Sequence, residues 1–429
     1  MKSGAINMSD NSDILVSILR HLYGQSQIER QRERYKNLIE RYNQEFSPAE
    51  PQLFSTPGRT EISGNHTDHN NGRVLAASIN LDSIAAAASN NDQRVVLYSE
   101  GYEKPFEVNL DNLQLIEEEK ESTNALIRGI ASRFSQLGFN IGGFNACVTS
   151  DVFQGSGLSS SASIEVLIGT IFNVLYNKNE INIETIAKIG QYAENNYFGK
   201  PCGLMDQMAC AVGGIIAIDF ENIGSPVVQK INFDPDSQDY TMLIVNTGSS
   251  HENLTDDYAA IPVEMKTIAS VFEKNTCRDL NMDDLISNIN DLRKKAGDRA
   301  LLRAFHFINE NERVLAQIES LKVGDFNKFL DLVKDSGDSS FKWLQNVYSP
   351  KNVSEQGVSL ALALTEYYID QLGSGACRIH GGGFAGTIQV FLPNDKVENY
   401  RKLIEPVFGK ESIMKLKIRT QGTVCLRDI

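Results

Sequence analysis

Between residues 155 and 163 the chain reads Gly-Ser-Gly-Leu-Ser-Ser-Ser-Ala-Ser, and the apolar residues Ile164, Val166, Leu167, Ile168 and Ile171 follow at once. A Gly/Ser loop that opens an apolar helix is the most constraining feature of this sequence. Glycines let a backbone approach an anion closely, and the serine hydroxyls and first helical N–H groups add donors at the positive end of the helix dipole. Serine hydroxyls also suit a magnesium ion that bridges phosphates. A flexible turn with a serine N-cap has the same composition, and no Gly-Lys-Ser/Thr follows as a Walker A loop requires. Alone, the loop marks an anion site and nothing narrower.

The rest of the chain supplies elements of both kinds. Apolar residues at helical spacing from Ile14 to Tyr42, with a charged face from Glu29 to Arg34, predict one or two amphipathic helices on the outside of a first domain. The stretch Ser47–Pro51 ends them. Strands are expected at Arg73–Ala77, Ser83–Ala88, Val95–Tyr98, Gly143–Val148, Ile215–Asp219, Met242–Val245 and Thr387–Leu392. Helices are expected at Thr123–Leu137, after the loop to Tyr176, at 183–197, through most of 257–347 and at Val397–Phe408. At 429 residues the chain exceeds one compact core, so we expect an α+β protein of two lobes: a helical arm over 1–50, a first domain over 51–235 carrying the loop, and a second over 236–429.

Composition narrows the function. Acidic residues outnumber basic ones, 55 to 41, which argues against a nucleic-acid partner. No apolar run is long enough to span a bilayer, and the N-terminus lacks the pattern of a signal peptide. A cytoplasmic enzyme is the expectation. The six cysteines include no C-x-x-C pair and read as reduced core thiols; Trp343, the single tryptophan, reads as core.

Three further stretches join the loop: Pro57-Gly58-Arg59 with Gly64-Asn65-His66-Thr67-Asp68, Pro201-Cys202-Gly203-Leu204-Met205-Asp206-Gln207, and Gly381-Gly382-Gly383-Phe384-Ala385-Gly386. With Gly-Leu-Ser-Ser-Ser-Ala, these four ordered motifs resemble the GHMP kinases, and galactokinases in particular. The resemblance runs from about Phe54 to the C-terminus and implies a two-lobed GHMP-kinase fold with its active site in the cleft between lobes. It implies ATP along Gly155, Ser156, Gly157, Leu158, Ser159, Ser160, Ser161 and Ala162. Asp206 matches the catalytic aspartate and Arg59 the arginine paired with it. Glu194 matches a magnesium-binding glutamate, with Ser160 and Ser161 covering the serine ligand. Asn65, His66, Asp68, Gly203, Asp206 and Tyr258 fall on sugar-contacting positions, Tyr258 through the stretch Asn246 to His251. ATP and magnesium are the implied cofactor set, and a free sugar is the implied partner.

Each residue also has an ordinary structural reading. Arg59 could be a solvated turn residue, Asp206 a helix N-terminal carboxylate, Glu194 a surface group, and His66 a hydrogen-bonded core histidine. Cys202 reads as a packing thiol. In phosphoryl transfer the implied roles are coherent, since alignment and charge neutralisation carry most of the work.

The sequence departs from the galactokinase pattern Gly-Arg-Val-Asn-Leu-Ile-Gly-Glu-His-Thr-Asp-Tyr, reading Gly58-Arg59-Thr60-Glu61-Ile62-Ser63-Gly64-Asn65-His66-Thr67-Asp68-His69. Asn65 replaces a sugar-contacting glutamate, keeping an acceptor and adding donors, which bears on the sugar's identity. Phe153 stands where proline is common, His380 replaces a smaller residue, and Thr123 takes the place of an adenine-side tryptophan. The expected activity is therefore ATP-dependent sugar 1-phosphorylation, with galactose first. A 1-kinase for N-acetylgalactosamine, arabinose or galacturonate is the alternative, followed by a non-catalytic sugar and ATP sensor. Oligomeric state is not legible.

Overall fold

The first half of the first motif lies in a strand, and its second half, Gly64 to Asp68, turns out of it. Gln52–Ser63 (β1) pairs antiparallel with Arg73–Ser89 (β2), and the register shifts between Pro57 and Arg59 and again between Glu61 and Ser63. Pro57 has no N–H for the ladder, so β1 bulges there and continues. The computed structural model describes residues 12–46, 50–152, 157–233, 235–248 and 254–429. The stretch that was expected to end the arm lies largely outside them.

The first sheet runs β12-β1-β2-β5-β3-β4, with Arg94–Ser99 as β3, Phe106–Asn109 as β4, Phe144–Ser150 as β5 and Val424–Cys425 as β12. Ile215–Asp219 (β6) pairs with the start of β2, and Val227–Ile231 (β7) pairs with β6. The two short strands expected at Arg73–Ala77 and Ser83–Ala88 are thus one strand that changes partners along its length. The two faces of β2 alternate. Ala85 and Ala87 join the core beneath four helices, whereas Ile84 and Ala86 face the N-terminal arm.

The four helices are Thr123–Gln136 (α3), Ser160–Tyr176 (α4), Ile183–Ala193 (α5) and Met205–Val212 (α6). The arm consists of Ser12–Tyr23 (α1) and Ile28–Glu45 (α2). Ile28, Gln31, Tyr35, Leu38 and Tyr42 are buried at three- and four-residue spacing, the stripe that an amphipathic helix lays on a core.

The second sheet runs β11-β8-β10-β9, formed by Tyr240–Asn246 (β8), Ala376–Ile379 (β9), Thr387–Pro393 (β10) and Ile413–Leu416 (β11). Around it lie Thr255–Val271 (α7), Met282–Ser287 (α8), Ile289–Ala296 (α9), Asp298–Lys322 (α10), Phe326–Ser339 (α11), Gly357–Leu372 (α12) and Val397–Phe408 (α13). The chain then crosses back: Ile418 bridges to Ile79, and β12 pairs with β1. The segment expected as a second domain, 236–429, therefore ends inside the first sheet. Trp343 is only half-buried, in the turn that follows α11, and is not the core residue expected. Among the described residues no helix is long and apolar enough to cross a membrane.

Candidate active site

Arg59 and Asp206 form a two-pronged ion pair: Nε to Oδ1 and Nη2 to Oδ2, each at 2.7 Å. Arg59 comes from the bulged part of β1 and Asp206 from the first turn of α6. Burial alone would raise the Asp206 carboxyl, but the Arg59 charge and its hydrogen bonds outweigh that and hold it below the usual carboxylate range. Ser159 Oγ donates to Asp206 Oδ2, and Arg59 Nη1 donates to the Gly157 carbonyl. The Asp206 side chain remains 30% exposed, so the carboxylate is partly open to solvent.

The loop is held from below. Arg59 N–H donates to the Leu158 carbonyl at 3.1 Å. A Cβ on Gly58 would lie 2.9 Å from that same oxygen, so only glycine allows β1 to pass so close. Gly157 and Ser159 adopt positive φ, 72° and 59°. A Cβ on Gly157 would stand 3.0 Å from His380 Nδ1, so the bulkier His380 forms the loop's backing. Its ring bridges Thr60 and Thr387 hydroxyls at 3.0 and 3.1 Å. Leu158 and Ala162 are fully buried supports. Because Ser159 spends its hydroxyl on Asp206, the first turn of α4 has no side-chain cap, leaving N–H groups for an anion. Gly155 and Ser156, with Phe153, lie outside the described residues.

Glu194 begins a π-helical turn, Glu194–Phe198, that extends α5 and is buried, not a surface group. Gln207 Nε2 donates to Glu194 Oε2 at 2.8 Å and to Glu165 Oε2 at 2.9 Å. Burial and the adjacent Glu194 push the Glu165 carboxyl well above its usual range. Ser161 Oγ meets Glu194 Oε1 at 3.2 Å, and Lys200 Nζ stands 3.7 Å from that oxygen. A hydroxyl and a carboxylate oxygen side by side form a hard-oxygen pair that fits magnesium. Of the two candidate serines, Ser161 reaches Glu194. Cys202 is pushed far up by burial and by Glu194, which makes it a poor nucleophile and agrees with a packing role.

His66 has a positive φ of 58°. Its Nε2 donates to the Gly382 carbonyl at 2.8 Å, which fixes a neutral tautomer, and burial lowers its pKa to about 3. Its ring stacks with Tyr258 at 6.3 Å between centroids, and Tyr258 Oη donates to the Gly383 carbonyl at 2.9 Å. Asp68 accepts from His69 N–H at 2.9 Å and presses against Gly203, where a Cβ would lie 1.9 Å from Asp68 Oδ2. The structure thus brings His66 beside Tyr258 and Asp68 beside Gly203, the two pairs joined through His69.

Asn65 is the exception. It is fully buried, and its amide is consumed internally. Nδ2 donates to Glu61 Oε1 at 2.9 Å and to the Gly381 carbonyl at 2.7 Å, while Oδ1 accepts from Asn346 at 2.7 Å and Ser340 at 3.4 Å. The expectation that Asn65 touches the sugar is corrected: the side chain knits the first motif to the last glycine run.

Sequence reasoning missed the groups that set this corner. Glu310 of α10 accepts from Gly64 N–H and Ser63 Oγ, both at 2.9 Å, and His306 Nε2 donates to the Asn65 carbonyl at 3.0 Å. Their only sequence signal is a polar residue at a core position of an amphipathic helix.

The family model described as "GHMP kinases N terminal domain" matches residues 125–214, and the "Galactokinase galactose-binding signature" matches residues 40–89. A galactokinase from Glaesserella parasuis serovar 5 is 32% identical over 376 residues, covering 86% of this chain and 93% of that one. The crystal structure of Lactococcus lactis galactokinase complexed with galactose superposes with a TM-score of 0.77 at 24% identity, covering 90% of this chain and 98% of that one. Methanococcus jannaschii mevalonate kinase superposes at 0.61 and 16% identity, covering 86% and 98%. With the signature lying on the β1–β2 motif and the kinase domain on the loop and Asp206, the chain belongs to the galactokinase family of GHMP kinases.

Proposed function

We infer that the protein transfers the γ-phosphoryl group of ATP to the anomeric hydroxyl of galactose. The observation that carries this reading is the bidentate Arg59–Asp206 pair, bonded to the phosphate loop at Gly157 and Ser159 and three residues beyond Gly203, which packs on Asp68. Asp206, kept ionised by Arg59, takes the proton of the attacking hydroxyl or fixes its direction. Arg59 offsets charge on the transferring group. Ser159, in hydrogen bond with Asp206, ties the loop to that carboxylate and aligns donor with acceptor. Ser161 and Glu194 would hold magnesium, which supplies charge neutralisation on the phosphates. His66, neutral and pinned to Gly382, shapes the sugar side with Tyr258 and Asp68.

Coupled ADP release, measured on a panel of free sugars with and without magnesium, tests the reading. The panel includes N-acetylgalactosamine, arabinose and galacturonate beside galactose. We expect magnesium-dependent turnover with galactose preferred. Sugar-dependent nucleotide binding with no turnover on any sugar would favour a sensor instead.

A further inference from the structure

The N-terminal arm reaches the phosphate loop through one buried carboxylate. Asp82, in the middle of β2, has no exposed surface. It accepts from Arg34 Nη1 of α2 at 2.5 Å, from Tyr23 Oη of α1 at 2.5 Å, from Arg419 Nη1 at 2.9 Å, and from Ser55. Burial would raise this carboxyl, but Arg34 and Arg419 outweigh it and hold it below the usual range, so an ionised group sits at the seam between arm and sheet.

The same point of β2 anchors both flanks of the loop. On the entry side, the Asp82 carbonyl accepts from Asp151 N–H at 2.9 Å, and Ser83 Oγ meets Ser150 Oγ at 2.9 Å. On the exit side, Ser163 in the first turn of α4 donates to Ser83 Oγ and to the Thr56 carbonyl, both at 2.9 Å. The arm grips this junction directly. Arg34 Nη2 donates to the Asp82 carbonyl at 2.7 Å, Arg34 Nη1 lies 3.4 Å from Asp151 Oδ2, and Arg30 Nη2 donates to that oxygen at 2.8 Å.

We propose that Arg34 and Arg30 of the arm are positioning residues for nucleotide binding: through Asp82 and Asp151 they fix the end of β5 and the first turn of α4, which flank the phosphate loop. The proposal rests on the kinase reading above. A fixed strand β5 and a fixed α4 define where the loop's donors stand, and small misplacements of such donors weaken phosphate binding steeply. The sugar corner hangs instead on α10 and the last glycine run, so the arm should act on ATP and leave the sugar alone.

The test uses the full chain. Asp151→Asn removes the charge that Arg30 and Arg34 hold while keeping the shape, Arg30→Ala trims a largely exposed partner, and Arg34→Lys keeps the charge but loses the fork. KM for ATP, KM for galactose, kcat and Tm are measured for each. We expect Asp151→Asn and Arg34→Lys to raise the KM for ATP by roughly ten-fold with the galactose KM within about two-fold. Arg30→Ala should do less, and should add nothing on top of Asp151→Asn. Should Arg34→Lys fail to fold, Asp151→Asn decides alone. An unchanged KM for ATP in folded Asp151→Asn, or equal rises for ATP and galactose, would overturn the proposal. Wild-type protein run alongside separates the two readings: if it binds no ATP, the kinase reading itself falls and the arm's role with it.

Discussion

Asn65 and Glu61 share a hydrogen bond of 2.9 Å inside the protein, four residues apart in the first motif. Arg378 Nη2 completes the set by donating to the same Glu61 oxygen at 2.9 Å. The galactokinase pattern has asparagine where Glu61 stands and glutamate where Asn65 stands, so this chain carries the two residue types exchanged. Asn65→Glu alone would bury two carboxylates together and should destabilise by about 3–5 kcal/mol. Adding Glu61→Asn should recover most of that loss. Urea midpoints of the two single variants and the double variant check it, and a double variant no more stable than Asn65→Glu would refute the exchange.

Asp206→Asn keeps the volume of the side chain but loses its charge. We expect kcat to fall by about 10²–10⁴, with ATP affinity within a few-fold because the role proposed for Asp206 is confined to the acceptor hydroxyl. Single-turnover kinetics and nucleotide binding separate the two quantities. Near-normal turnover in the folded variant would remove Asp206 from the chemistry.

Glu194→Gln and Ser161→Ala should each raise the magnesium concentration for half-maximal activity, by at least about ten-fold for the first. Ser160→Ala should shift it less, since Ser161 and not Ser160 lies beside Glu194. Magnesium titrations of all three variants at saturating ATP give the comparison. An order reversed between the two serines would exchange their roles.

Gly203→Ala tests the sugar corner. The new methyl would sit 1.9 Å from Asp68 Oδ2, a clash that only a shift of Asp68 or of the loop before α6 can relieve. The KM for galactose should rise about ten-fold or more while ATP binding holds. A rise confined to ATP would place Asp68 and Gly203 outside the sugar site.

Acid stability follows from three buried histidines. Burial lowers His66 to about 3, lowers His306, and lowers His380 well below its ordinary value. Below about pH 6.5 the unfolded chain takes up protons at these positions while the folded chain does not. The stability that depends on these histidines staying neutral is therefore full above that pH and is lost as pH falls. Each of these groups that stays neutral in the folded chain steepens that fall, by at most about 1.4 kcal/mol per pH unit. Thermal midpoints from pH 7.5 to 4.5 measure it, and His380→Gln should make the slope shallower. An identical slope in a folded His380→Gln would contradict the assignment.

The sequence by itself determined the local pieces. The amphipathic stripe of the arm, the Gly/Ser loop opening α4, and the strand at Ile215–Asp219 with the helix at Val397–Phe408 all depend on residues close together in the chain. Four ordered motifs likewise carried the family. β1 was not legible as a strand, because it is buried on both faces and shows no alternation, and because Pro57 and Gly58 read as a turn until β2 supplies a partner around a bulge. Tertiary structure alone decided what each motif residue touches. Arg59 and Asp206 stand 147 residues apart, and only the bulge in β1 and the first turn of α6 bring them together. Asn65 was misjudged for the same reason. Which way its amide points depends on Glu61, Asn346 and the Gly381 carbonyl, and a buried amide must satisfy its donors and acceptors wherever the fold places partners.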